Sequence, residues 1–147
     1  MSDLDYKDSD DLHLYDSVIK KLVVDHTTKS LSFKLLKVVG RIDREGGFTY
    51  KVKHGVLKFQ GVIYANVPYG MAFDEWSEFY RSAIVENSSL INKLPDRAKN
   101  DKRFTHVYLG IDGSDYYEVN IVCIAHSMEL EPEEYVLHDD FGWLYED

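Results

Sequence analysis

A β-hairpin signature between Phe104 and His126 constrains the fold of this chain more than any other stretch. Two runs rich in β-branched and aromatic residues, 104–111 and 116–126, flank the turn sequence Asp112-Gly113-Ser114-Asp115. Such runs around Asp-Gly are the strongest short-range mark of two antiparallel strands. In the second arm Tyr117, Val119, Ile121, Cys123 and Ala125 share one face, which is apolar throughout. The other face, from Tyr116 and Glu118 to Ile124 and His126, starts polar and turns apolar. A strand covered on both sides along only part of its length reads this way. The second arm is therefore the expected central strand.

The rest of the chain supplies partners for it. Alternation predicts a strand from Ser17 to about Asp25, a short polar connection to Ser30, and a second strand from Leu31 to Val39. Gly40 to Gly47 reads as a charged loop. Phe48 to Lys53 alternates cleanly, His54-Gly55 reads as a tight turn, and a further strand is expected from Val56 to about Val67. Gly61 inside that strand predicts a bulge or a close approach of another backbone. Trp76, Phe79, Tyr80, Ala83 and Ile84 recur at helical spacing behind the N-cap candidate Asp74, so a helix is expected near 74–86. Residues 87–94 read as a further turn or short helix stopped by Pro95, residues 96–103 as a polar loop, and Tyr135 to Leu137 as a short edge strand. The expected fold class is α+β: a mainly antiparallel sheet of about 6–7 strands, curved into a half-barrel or sandwich, with one main helix packed on it. The chain of 147 residues is expected to form one domain over 12–147, after an acidic, disordered 1–11.

Charge narrows the partners. The net charge is −9, and the acid sits at the two ends. Residues 1–16 carry six Asp and one Lys, while residues 129–147 carry eight acids and neither Lys nor Arg. The stretch between them is net basic. Acidic ends favour solubility and a basic partner, and they argue against nucleic acid, whose phosphates demand a basic footprint. The start lacks a basic region followed by an apolar one, and no run approaches the length of a membrane span, so the expectation is a cytoplasmic protein that does not contact membrane. The single cysteine, Cys123, allows no internal disulfide and reads as a small core residue.

No catalytic motif emerges. The six histidines, 13, 26, 54, 106, 126 and 138, show no zinc-like spacing, and His138-Asp139-Asp140 is too contiguous to converge on one ion. Asp112-Gly113-Ser114-Asp115 lacks the distal ligands of a calcium loop. Gly46-Gly47 precedes a strand, so no helix start cradles an anion there. The expectation is no cofactor, no metal and no enzyme activity. The enzyme alternative is a hydrolase using His13 with Asp16, or His106.

One family resemblance accompanies these readings. Leu14-Tyr-Asp-Ser-Val-Ile-Lys-Lys-Leu-Val-Val-Asp25, followed by Leu31-Ser-Phe-Lys-Leu35, resembles the first hairpin of small β-rich immunity-type proteins from bacterial polymorphic-toxin loci. Lys58 to Tyr64 and the hairpin from Phe104 to His126 follow in a similar order. The resemblance covers roughly 14–126 as a pattern and leaves out the acidic ends. It implies a cytoplasmic protein that binds a toxin domain and blocks it without chemistry of its own. No binding residue carries over.

Two binding surfaces follow from the residues. For a protein partner, a basic toxin domain above all, the candidates are the aromatic and acidic residues Tyr135, Asp139, Asp140, Phe141, Trp143 and Tyr145. For a small ligand or carbohydrate held on a concave sheet, the candidates are Tyr64, Tyr69, Trp76 and Tyr80. The sequence does not fix the oligomeric state.

Overall fold

The computed structural model describes residues 9–67, 71, 73, 77–113 and 115–136. The described residues form nine strands and two four-residue helices. These are β1 (Ser17–Asp25), β2 (Ser30–Arg44), β3 (Gly47–Gln60), β4 (Tyr64–Ala65), β5 (Glu78–Val85), α1 (Ser89–Asn92), α2 (Asp96–Lys99), β6 (Thr105–Asp112), β7 (Tyr116–Cys123), β8 (Ala125–Leu130) and β9 (Tyr135–Val136). All strands join one sheet in the order β4-β7-β6-β5-β1-β2-β3-β8, with β9 added to β3. Every ladder between named strands is antiparallel.

The order closes on itself at two bends. β7 and β8 are separated only by Ile124, yet they stand towards opposite ends of the order. Opposite that bend β3 turns into β4 at Gly61, where φ is 63°. Ile124 N–H donates to the Gln60 carbonyl and Ile63 N–H to the Val122 carbonyl, both at 3.0 Å. The β3–β8 ladder therefore runs on into the β4–β7 ladder, and the sheet wraps into a barrel-like closure. A Cβ at Gly61 would stand 2.8 Å from Ile124 Cδ1; a side chain crowds this glycine, not the neighbouring backbone expected there, and the strand expected over 56–67 ends at Gln60.

The seam lies between β1 and β5. They share one residue pair, Val18 with Glu78, and one further bond from Ile19 N–H to the Ser77 carbonyl. The remaining edge of β5 is taken by the chain start. Asp10 bridges Ser82 in parallel, and the Ser82 N–H and C=O bond Ser9 and Asp11 at 3.0 Å each. The Asp11 carboxylate accepts Ile84 N–H, and the Asp10 carboxylate accepts Leu14 N–H, Tyr15 N–H and the Ser82 hydroxyl. Ser9, Asp10 and Asp11, within the stretch expected to be disordered, thus pair with β5, and Asp10 and Asp11 accept from donors along it.

One core fills the interior. Phe33 is fully buried and meets Phe59, Phe73 and Phe79 edge-to-face at 6.5, 6.4 and 5.3 Å. Leu14, Ile19, Leu57, Leu109, Val119 and Ile121 surround it, each at most 1% exposed. Cys123 joins this cluster on the face assigned to it by alternation.

Three expectations need correction. The main helix near 74–86 does not form: 74–76 lie outside the described residues, and Glu78–Val85 is strand β5. Phe79 faces the core, whereas Ala83 and Val85 are buried in a separate cluster with Tyr108, and a bulge between Phe79 and Arg81 breaks the alternation. Burial on both faces plus a bulge erases the period of two and leaves a spacing that imitates a helix. The fold class is accordingly an antiparallel nine-stranded sheet with two short helices, not a smaller sheet with one main helix.

The charged loop over 40–47 is also strand, except for the turn at Glu45-Gly46. β2 and β3 pair continuously from Leu31 with Phe59 to Arg44 with Gly47, apart from a bulge near Val38. Finally, His54-Gly55 is not a turn, because both residues lie inside β3. Gly55 is needed for space: a Cβ there would stand 2.6 Å from Leu130 Cδ2 and 3.1 Å from Leu35 Cδ1.

Candidate functional site

Directly paired residues in an antiparallel ladder point to the same side, so the register assigns each polar side chain to a face. Two outer faces result. On β5, β6 and β7 the outward residues interlock. Tyr108 donates to the Glu118 carboxylate, and Arg81 donates to the Tyr116 hydroxyl. The Arg81 side chain is only 8% exposed, and its guanidinium lies 4.9 Å from the Tyr80 ring and 5.3 Å from the Tyr108 ring. Tyr80 lies against Gly110, where a Cβ would be 2.6 Å from its Cζ. Burial holds the Tyr80 and Tyr108 phenols well above the usual tyrosine range.

Further along the same face, His106 uses both ring nitrogens. Nε2 faces Asn120 Oδ1 at 2.7 Å, and Nδ1 faces Ser88 Oγ at 2.7 Å. With a carbonyl oxygen opposite Nε2, that nitrogen carries the proton and Nδ1 accepts from the serine. Ser88 Oγ in turn caps α1 by accepting Ile91 N–H at 3.0 Å. Burial pushes the His106 pKa down, against the opposing pull of the Asn120 bond. The imidazole is therefore a neutral bracket that ties a loop to the sheet.

The other outer face is open. Lys21 of β1 pairs with Lys34 of β2, Lys34 with Val56 of β3, and Val56 with Glu129 of β8. A cleft of about 810 Å³ crosses this row, with Lys20, Lys21 and Lys34 at one side and Glu129, Glu131 and Tyr135 at the other. His54 lies between them, its ring 5.1 Å from that of Tyr135 and nearly perpendicular to it. Tyr135 is held by β9, whose register places it opposite Val52, and its hydroxyl donates to Glu133 at 3.0 Å. Lys51 and Glu134 flank the same edge at 3.8 Å.

Compared with family models, with curated proteins and with solved structures, the chain matches none of them. The candidate site rests on its own geometry.

Of the residues expected to meet a protein partner, Tyr135 lies on the cleft. Asp139, Asp140, Phe141, Trp143 and Tyr145 lie outside the described residues. Of the alternative ligand set, Tyr69 and Trp76 lie outside them as well. Tyr64 and Tyr80 are not brought together. Tyr64 pairs with Val122 and Tyr80 contacts Tyr116, six residues away along β7, or roughly 20 Å at the rise of a strand. Tyr64 instead lines a smaller hollow of about 410 Å³ with Val24, Leu31, Ile63 and Val67.

The residues weighed for catalysis all have structural placements. His13 and Asp16 are turn residues with φ of 57° and 63°, and Lys37 ties the turn by donating to the His13 and Tyr15 carbonyls. Cys123 is buried, and burial pushes its thiol up to about 11. Among the described residues no group of three or more His, Cys, Asp or Glu is arranged to hold a metal ion. Also among them, no helix is long and apolar enough to cross a membrane.

Sequence reading missed the lysine wall and the Arg81 network. Alternation already put Tyr116 and Glu118 on one face. The pairing of Lys21 with Lys34 depends on register across a bulge between Ile19 and Lys21, which no local pattern encodes.

Proposed function

We propose that this chain is a non-catalytic, cytoplasmic binding domain that engages another protein along the β3–β8–β9 side, as an immunity protein blocks a toxin by direct contact. The cleft carries this reading. Small-ligand sites are mostly apolar and enclose their ligand, whereas this groove is open, about 810 Å³, and walled by charge around Tyr135 and His54. Glu129, Glu131, Glu133 and Glu134 line the connection from β8 to β9, all exposed, and favour a basic partner surface.

Co-expression with the product of the adjacent gene tests it. A complex of fixed stoichiometry is expected, together with relief of any growth arrest that product causes and loss of both in Tyr135→Ala paired with Glu131→Lys. Unrelieved arrest and separate elution of the two proteins would overturn the proposal.

The hollow beside Tyr64 favours a second reading, a small-ligand site at the end of the barrel, because most of its lining is apolar. Titration with simple glycosides and small aromatic compounds, followed by NMR, decides it. Saturable shifts confined to Val24, Ile63 and Tyr64 would support a ligand site, and unchanged spectra would exclude those compounds.

A further inference from the structure

Two lysines placed directly opposite each other on neighbouring strands repel, their Cβ atoms being about 5 Å apart. Lys21 and Lys34 are such a pair. Neither makes an ion pair with any of the described residues. Lys20 enters the same wall of the cleft. The nearest carboxylate in that row, Glu129, stands two strands away across Val56, about 10 Å at the spacing of a sheet. That backbone spacing is about one Debye length at physiological salt, so the carboxylate offsets the lysines only weakly there.

The cleft is therefore charge-separated, cationic on β1 and β2 and anionic on β8. The opposite face shows what the same sheet does with a cation it uses for itself, since Arg81 is buried against Tyr116 and Glu118.

We propose that the Lys21–Lys34 wall receives a carboxylate-bearing segment of the protein partner, while Glu129 and Glu131 meet basic groups of the same partner about 10 Å away. This rests on the binding-domain reading and names the chemistry of the partner's contact strip: mixed charge, not simply basic. A carboxylate seated between the two ammonium groups relieves their repulsion. A uniformly basic surface would satisfy the glutamates and leave the lysines opposed. The mixed arrangement also sets direction, because a strip docked backwards places like charges together.

The test uses the full chain and a fluorescent deca-glutamate peptide at low ionic strength, read by anisotropy. The chain as a whole is acidic, so its mean field repels this probe, and binding reports the local wall. Saturable binding is expected, weakened at least tenfold by Lys21→Glu and by Lys34→Glu and unchanged by Lys102→Glu, on the turn before β6 and outside the cleft lining. Each reversal in the wall turns a like-charge pair into an opposite-charge pair, so these variants fold at least as well as the parent. A thermal melt of each variant checks this.

Absence of binding, or binding indifferent to both wall reversals, overturns the proposal. Equal competition by an oligothymidylate of the same charge also overturns it, because the wall would then read charge alone. The complex with the adjacent gene product separates the two readings. If the complex forms and survives Lys21→Glu with Lys34→Glu, the lysine wall is not its contact and only this inference fails. If no complex forms with the parent chain, the binding-domain reading fails whatever the peptide does.

Discussion

The outer faces of β5–β6–β7 and of β1–β2–β3–β8 cover the same core yet treat charge in opposite ways. On the first, Arg81 donates to Tyr116 and Tyr108 to Glu118, and His106 is bracketed by Ser88 and Asn120. On the second, Lys21 and Lys34 face each other with their nearest row carboxylate two strands off. A buried polar group must find its partners within the molecule, or folding loses the cost of stripping its water. An exposed charge is under no such demand and stays available to another molecule. The contrast separates groups that hold this fold together from groups on offer to a partner.

Both faces pack on the cluster around Phe33, and its loss should cost the most. Phe33→Ala removes the ring that meets Phe59, Phe73 and Phe79, and large-to-small changes at such sites cost about 3–5 kcal/mol. Urea denaturation measures the loss, and hydrogen exchange should rise on β2 and on β6 alike. Faster exchange on one side alone would mean that the two faces rest on separate cores.

Next comes the sealed face by itself. Gly110→Ala places a methyl 2.6 Å from Tyr80 Cζ and 2.8 Å from Arg81 Cγ. Overpacking of this kind costs roughly 1–3 kcal/mol. The loss should appear as a lower urea midpoint, with near-ultraviolet dichroism reporting displaced tyrosines and the deca-glutamate affinity unchanged. A parallel drop in that affinity would show that the two faces are coupled.

A smaller effect depends on pH. Burial lowers the folded pKa of His106 below its unfolded value of about 6.5. The unfolded chain therefore takes up the proton more readily. Stability is full above about 6.5 and is lost as pH falls through that value towards the lower folded pKa. His106→Gln keeps a hydrogen-bonding side chain and removes the titration, so its urea midpoint should change less than the parent's between pH 8 and pH 5. Equal slopes would mean that the imidazole carries no such linkage. Lys34→Glu, on the open face, should have the smallest effect on folding, a stabilisation of at most about 1 kcal/mol in a thermal melt. A clear destabilisation would reveal that Lys34 serves the fold after all.

How much of this was legible beforehand varies with the element. β1 from Ser17 to Asp25 follows from alternation, and the arms of β6 and β7 from two β-rich runs around a turn signal, although β6 is buried on both faces. Gly61 was singled out inside an expected strand, but the bend that ends β3 at Gln60 was not foreseen. β5 was not legible, because burial on both faces and a bulge removed its period. Nor was the continuity of β3 through His54-Gly55: Gly55 yields space to Leu130, a residue far off in sequence. At the candidate site Tyr135 was singled out from its acidic surroundings, but its companions Lys21, Lys34 and His54 were not.

Residue pattern alone pointed to a mainly antiparallel sheet, with a helix near 74–86 that does not form, to a buried Cys123 and to acid concentrated at the two ends. Those properties reside in residue type and in spacing of two, which act over a few neighbours. The closure of the sheet through Gly61 and Ile124, the pairing of Ser9–Asp11 with β5 and the meeting of two lysines across strands appear only in the folded chain. Each of these is a matter of register, and register is set by the summed burial of whole strands, which no short stretch of sequence contains.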